Sequence, residues 1–320
     1  MMFSRSWDPR GKNCYVTGGS AGLGLSLALL LTRSGANVAI VARNQNKLQN
    51  AVNELQKARV SPNQVIAAHS FSLTKAKPSE DALEAVTQSF GGSLPDAAFL
   101  CAGAATPGFF VEQSGDDLGR GMDNAYWVQA YSALAFAKRA AHVNDKKNRK
   151  LVFVCSTLGY MSIVGYSSYA PGKHALRGLA ETLRSELLLY SVSVHIYFPG
   201  NIDSPGYAEE NKTKPKITLK IEESDRPIPS AQVAAGLLKG VQRGDFHITM
   251  DFIGNIFRSS TRGSSPHNNV FLDAIYSFIG WVALPVWRRS VDSAVSKHQS
   301  EHEEYLRSKG FFSNSAAAST

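Results

Sequence analysis

The chain has 320 residues and a mass of 34.6 kDa, 43% of it hydrophobic and 19% charged. Those proportions exclude a disordered or collagen-like chain and leave room for one large core with an appendage. The net charge of +8 favours an anionic partner, and charge alone does not choose among nucleotide phosphate, membrane surface and nucleic acid.

Met1 to Lys12 carries charge and Pro9 without an apolar core, so no cleaved secretory signal is expected. Cys14 to Thr17 reads as a short buried strand, followed by a glycine-rich turn and a helix from Leu23 to Thr32 that Gly35 ends. Asn37 to Val41 is a second strand, Asn44 to Ala58 a helix and Gln64 to His69 a third strand. Ser79 is the expected cap of a helix running to Phe90. Strands at Ala97 to Cys101 and Lys150 to Cys155 flank one long helical segment, Asp116 to His142. A helix from Ser168 to Tyr190 leads to a strand at Val192 to Phe198. A loop-rich stretch over 199–228 follows, then a helix at Ser230 to Gln242 and a short strand at Phe246 to Met250. This alternation predicts an α/β fold, a Rossmann-type doubly wound parallel sheet with helices on both faces. The sheet domain is expected over 1–255, with an apolar helical appendage and polar tail over 256–320. Cys14, Cys101 and Cys155 lie in apolar runs and are expected as buried free thiols; no metal-ligand spacing occurs. The Asp145-Lys146-Lys147 stretch has no interleaved aromatics, so nucleic acid ranks last among the anionic partners.

Thr17-Gly18-Gly19-Ser20-Ala21-Gly22-Leu23-Gly24 sits between the first strand and the first helix. A side chain there would keep backbone N–H groups away from a pyrophosphate, and the helix N-terminus favours the anion. Glycine also serves ordinary turns; the position at the first strand–helix junction is what favours phosphate. Arg43 ends the second strand where NAD-binding sheets place a carboxylate, and a guanidinium there suits the 2′-phosphate of NADPH. Tyr169 and Lys173 stand four residues apart, on one helical face, where an ammonium is expected to lower the pKa of the phenol. Ser156 ends a strand at the carboxyl edge, placed to hydrogen-bond a substrate carbonyl or simply to turn the chain.

Together these residues resemble the short-chain dehydrogenase/reductase family over roughly residues 12–250. The resemblance implies a catalytic set of Ser156, Tyr169, Lys173 and Asn124, the last holding a water for proton relay, although a helical asparagine also serves packing. It implies cofactor contacts from Gly18, Ser20, Ala21, Gly22, Leu23 and Gly24 in the turn, and from Arg43, Lys47, Ser72 and Leu73 beyond it. Ala102, Gly103, Tyr169, Lys173, Pro199, Gly200, Ile202 and Ser204 complete that set. Two positions depart from the family: Leu100 replaces a common asparagine, and Ser72 an aspartate that contacts adenine.

Asp203 to Pro215, with Phe198-Pro199 and Arg177 to Glu181, is similar to the substrate loop of a narrower group, the 3-ketodihydrosphingosine reductases. That similarity implies NADPH-dependent reduction of 3-ketosphinganine to sphinganine at the endoplasmic reticulum. It also implies a homo-oligomer paired through the helices at Asp116 to His142 and Ser168 to Tyr190. Glu209 and Glu210 either attract the substrate ammonium or form a solvated loop. A retinoid, steroid or other lipid carbonyl reductase of the same family, and a non-catalytic NADPH-binding scaffold, are the alternatives.

Val270 to Trp287 carries one charge, Asp273, and ends before Arg288 and Arg289. Its length as a helix, about 27 Å, falls just short of a bilayer core. Trp281 and Trp287 suit a lipid interface, and the arginines suit lipid phosphates. Asp273 and Pro285 favour a surface-lying or re-entrant helix over a spanning one; a core or oligomer-interface helix is the other reading. On the membrane reading, residues 270–289 hold the enzyme on the endoplasmic-reticulum membrane with the reductase domain in the cytosol.

Overall fold

The computed structural model describes residues 7–143 and 145–312. The start of the expected signal-free N-terminus and the end of the polar tail lie outside those residues.

Buried runs of five or six residues build the first two strands, β1 (Asn13–Thr17) and β2 (Asn37–Ala42), with the amphipathic helices α1 (Gly22–Arg33) and α2 (Gln45–Ala58) after them. The chain continues through β3 (Ile66–Ser70), α3 (Ala76–Ser89) and β4 (Ala97–Leu100). Helices α4 (Gly115–Met122) and α5 (Val128–Val143) precede β5 (Arg149–Val154), α6 (Ala170–Glu186) and β6 (Val192–Tyr197). Two short strands, β7 (Ile202–Asp203) and β8 (Ile228–Pro229), bracket α7 (Pro205–Asn211) and α8 (Lys216–Ile221). Helix α9 (Ser230–Arg243), β9 (His247–Ile248), α10 (Phe252–Ser260), α11 (Val270–Lys297) and α12 (Gln299–Ser308) close the description.

Seven parallel strands form one sheet in the order β3-β2-β1-β4-β5-β6-β9. The order reverses beside β1, so the loops after β1 and β4 diverge and open a crevice at the carboxyl edge. The core lies in two layers. Leu27, Leu31, Leu237 and Val241 cover one face of the sheet; Val86, Phe136, Leu176 and Ala180 cover the other. This is the expected doubly wound fold.

Four local expectations change. Helix α3 starts at Ala76, because Pro78 is tolerated in a first turn, and the Ser79 hydroxyl donates back to Lys75 O instead of capping. The long helix expected over 116–142 is broken at Asp123–Trp127 by a π-helical turn that contains Asn124. Tyr169 is the N-cap of α6, so Pro171 falls in the first turn, where its missing N–H costs nothing. The 199–228 stretch is not loop alone; it folds as α7 and α8 under the β7–β8 pair.

Candidate active site

The crevice at the carboxyl edge is a cavity of about 820 Å³. Gly18 turns the chain after β1 at φ +67°, and a Cβ there would stand 2.9 Å from the Ala102 backbone. A Cβ on Gly24 would meet Gly18 O at 2.3 Å, so only glycine lets α1 come this close to the turn. Ala21, the N-cap of α1, offers no side-chain cap, and no acidic residue sits in the first turn. The leading N–H groups of the helix therefore face the cavity as free donors, which suits a pyrophosphate.

Ser20, Ala21, Gly22 and Leu23 line this end together with Arg43 and Lys47. Arg43 is exposed and makes no ion pair among the described residues. Leu73, Ala102 and Gly103 form the neighbouring wall, while Pro199, Gly200, Ile202 and Ser204 close the opposite side. Ser204 caps α7 by accepting from Tyr207 N at 3.2 Å, and it sits directly over Gly22. Ser72 is the exception: it is exposed and pairs with Thr74 Oγ1 at 3.2 Å, and the wall is made by Phe71, Leu73 and Thr74 instead.

Ser156, Tyr169, Lys173 and Asn124 line the same cavity. Ser156 follows β5 in extended backbone, its Oγ accepting from Leu158 N at 3.2 Å. Lys173 is 2% exposed, donates to Val154 O at 3.0 Å and lies 5.4 Å from the centre of the Tyr169 ring. Burial pushes the Lys173 ammonium below the usual lysine pKa. The phenol departs from expectation. Burial, then the neighbouring Glu210 and Cys155, hold the Tyr169 hydroxyl well above its ordinary pKa. That direction favours the neutral phenol, the form that has a proton to give. Gly103 packs against the Asn124 carbonyl, where a Cβ would come within 3.2 Å.

Sequence reasoning missed two features of this site. Gln129 is 1% exposed and braces the sheet edge, donating to Val154 O at 2.7 Å and to Ala102 O at 3.2 Å and accepting from Val154 N at 3.1 Å. Leu100, in the place of the family's asparagine, is fully buried in the core, so Gln129 and Thr17, which accepts from Ala102 N at 3.1 Å, carry the polar bracing here. The other omission is the polar cluster of Tyr166, Lys214 and Glu222, in which Tyr166 stands 56 residues from Glu222 in sequence. Tyr166, three residues ahead of Tyr169, was the one signal available. Cys14 and Cys155 are buried free thiols, as expected; Cys101 is free too but only half-buried. Burial raises Cys155 to about 11 and Cys101 to about 12, so neither is a ready nucleophile.

A Rossmann-type sheet with a glycine cradle and a proton-donor set in one cavity defines an α/β oxidoreductase. The chain belongs to the short-chain dehydrogenase family, whose model matches residues 12–215. Membership implies a nicotinamide dinucleotide cofactor, and the cradle at Gly18 and Gly24, the uncapped α1 and the cationic Arg43 fit one. Among curated proteins it is similar to a 3-ketodihydrosphingosine reductase of Cryptococcus neoformans var. neoformans, 42% identical, covering 96% of this chain and 91% of that protein. It is also similar to a 3-ketodihydrosphingosine reductase of Dictyostelium discoideum, 33% identical and covering 86% of each. A short-chain type dehydrogenase/reductase from Mycobacterium ulcerans superposes with a TM-score of 0.62 at 24% identity, covering 72% of this chain and 83% of that one, and shares the fold.

Proposed function

We propose that this protein is an NADPH-dependent 3-ketosphinganine reductase that forms sphinganine in sphingolipid synthesis. The carrying observation is that one cavity joins the phosphate cradle to Ser156, Tyr169 and Lys173, in a chain similar along its length to 3-ketodihydrosphingosine reductases. The nicotinamide dinucleotide, when bound, supplies the hydride. Tyr169 Oη gives its proton to the ketone oxygen as negative charge develops there. Ser156 Oγ orients that oxygen and shares its charge. Lys173, a buried cation beside the Tyr169 ring, binds the cofactor ribose and helps return a proton to the phenol through Asn124 and water. A non-catalytic scaffold needs none of these groups.

Arg43 supports NADPH over NADH, because an exposed guanidinium at the end of β2 can pair with a 2′-phosphate. Arg43→Asp is expected to weaken NADPH binding roughly 10- to 100-fold, the value of a lost charge-assisted hydrogen bond, and to improve relative use of NADH. Titrations of both cofactors read this directly, and an unchanged ratio removes Arg43 from the role.

The second part of the proposal concerns the membrane. Helix α11 is the one helix among the described residues long and apolar enough to cross a bilayer. Its attachment supports a different placement. Asp273, 1% exposed, receives the Arg258 guanidinium at 2.5 and 3.0 Å and His267 Nδ1 at 3.0 Å. Burial would raise the Asp273 pKa, yet Arg258 and His267 hold it below the ordinary carboxylate range. Pulling one partner from such a buried pair costs about 3–5 kcal/mol. Further along, Gly280 lies so close to Ser260 that a Cβ would clash, and Trp287 packs edge-on against Phe257 at 5.6 Å. One face of the helix is thus committed to the domain. The opposite face presents Phe271, Phe278, Trp281, Val282 and Val286, each more than half exposed, beside Phe252 and Ile253 of α10. This supports a helix lying in the cytosolic surface of the endoplasmic-reticulum membrane. Arg288 differs from expectation in donating to Ser162 O at 2.8 Å, which leaves the exposed Arg289 for lipid phosphates. Exposed Trp127 and Leu134 on the α5 side and Leu188 and Leu189 beyond α6 support self-association through those helices.

A further inference from the structure

The cavity wall next to Tyr169 holds a group of charged side chains that the proton chemistry does not use. Tyr166 Oη donates to Glu210 Oε1 at 2.5 Å, and the rings of Tyr166 and Tyr169 lie 6.2 Å apart. Lys214 Nζ lies 2.6 Å from Glu222 and 3.4 Å from Glu210, and 4.5 Å over the Tyr207 ring. The Lys214 side chain is 0% exposed, that of Glu222 10% and that of Glu210 19%.

The charges do not balance. Two carboxylates face one ammonium, which is drawn to Glu222, and Glu210 is left with a neutral phenol as its nearest donor. Asp225 also lines the cavity, but it is exposed. Arg226 lines the cavity too, but it is exposed and pairs with neither carboxylate among the described residues. A largely buried carboxylate held without a full counter-charge is costly on its own and is relieved by a cation entering the cavity. Consistent with this, burial lifts Glu210 above the ordinary carboxylate pKa. Its charge is also felt at the Tyr169 hydroxyl, so the two are within electrostatic reach. Glu209 is of another kind: its side chain is 71% exposed and paired with Lys212 at 2.6 Å.

The substrate proposed above carries an ammonium on the carbon beside its ketone. Glu210 lines the same cavity as Tyr169 and is bonded to Tyr166, whose ring is 6.2 Å from that of Tyr169, so a ketone held at Tyr169 has this carboxylate on an adjoining wall. We propose that Glu210 recognises the substrate ammonium, with Tyr166 fixing its carboxylate and Lys214 keeping Glu222 out of competition. This rests on the 3-ketosphinganine reading and turns that site from a general ketone site into one selective for 2-amino ketones.

The test compares KM and kcat for 3-ketosphinganine and for the same ketone lacking the amino group. Glu210→Gln is expected to raise KM for the amino ketone roughly 10- to 100-fold with little change in kcat, the value of losing a hydrogen bond to a charged group. It leaves KM for the des-amino ketone unchanged. Tyr166→Phe, which keeps the ring and the carboxylate, gives a smaller rise confined to the amino ketone, and Glu209→Gln gives none. NADPH affinity equal to the unsubstituted protein's certifies that each variant is folded. Equal impairment of both ketones by Glu210→Gln assigns Glu210 a structural role and overturns the proposal, as does no effect on either. Equal KM for the two ketones in the unsubstituted protein overturns it while sparing the reductase reading; no turnover of the amino ketone removes both.

Discussion

Tyr169→Phe is expected to lower turnover by roughly 10²- to 10⁴-fold, the loss that follows removal of a positioned general acid. Phenylalanine keeps the ring, its packing beside Tyr166 and its place at the N-cap of α6. It removes only the hydroxyl, whose proton the developing alkoxide takes. Cofactor affinity should stay within about twofold, because the ring is kept and the glycine cradle, Arg43 and Lys173 are untouched. Lys173→Ala is the contrast: it should impair both, since the ammonium serves the phenol and the ribose. A Tyr169→Phe protein with near-full turnover would show that another group supplies the proton.

The second large effect is on membrane binding. Phe278 and Trp281 are 66% and 75% exposed on the outer face of α11, so replacing both by aspartate leaves the packing against α10 untouched. Burying each aromatic ring in lipid is worth about 1.5–3 kcal/mol, so the pair accounts for about 3–6 kcal/mol, or roughly 10²- to 10⁴-fold in partitioning. In flotation with phosphatidylcholine vesicles containing anionic lipid, the unsubstituted protein should rise with the vesicles and the double variant should stay at the bottom. NADPH binding should be equal in the two. An unsubstituted protein that stays at the bottom, and is monodisperse without detergent, would make the face a protein interface instead.

Much of this architecture is legible in the residues because its causes are local. Runs such as Asn37 to Ala42 are apolar without alternation, the mark of a strand buried on both faces, and the helices between them show one apolar stripe. The glycine turn, Ser156, Tyr169 and Lys173 are legible for a related reason: each sits at a strand end or helix start whose position the alternation sets. What was not legible depends on tertiary context. The π-helical turn at Asp123–Trp127 carries no composition signal, yet it carries Asn124 at the cavity wall. The pKa direction of Tyr169 followed from spacing alone would be downward; burial and Glu210, 41 residues away, reverse it. Asp273 in an apolar stretch reads as a flaw in a membrane helix, and only the fold brings Arg258 to it. Helix α10, nine residues set by its Asp251 cap, is too short to stand out from the sequence around it.

The most direct test of the central claim is product formation from 3-ketosphinganine by the purified protein, with NADPH and with NADH, alongside steroid and retinal carbonyls. Sphinganine formed with NADPH, more slowly with NADH, and little turnover of the other carbonyls is the expected result. Retinal or a steroid ketone reduced faster than 3-ketosphinganine, or no carbonyl reduced while NADPH still binds, would contradict it.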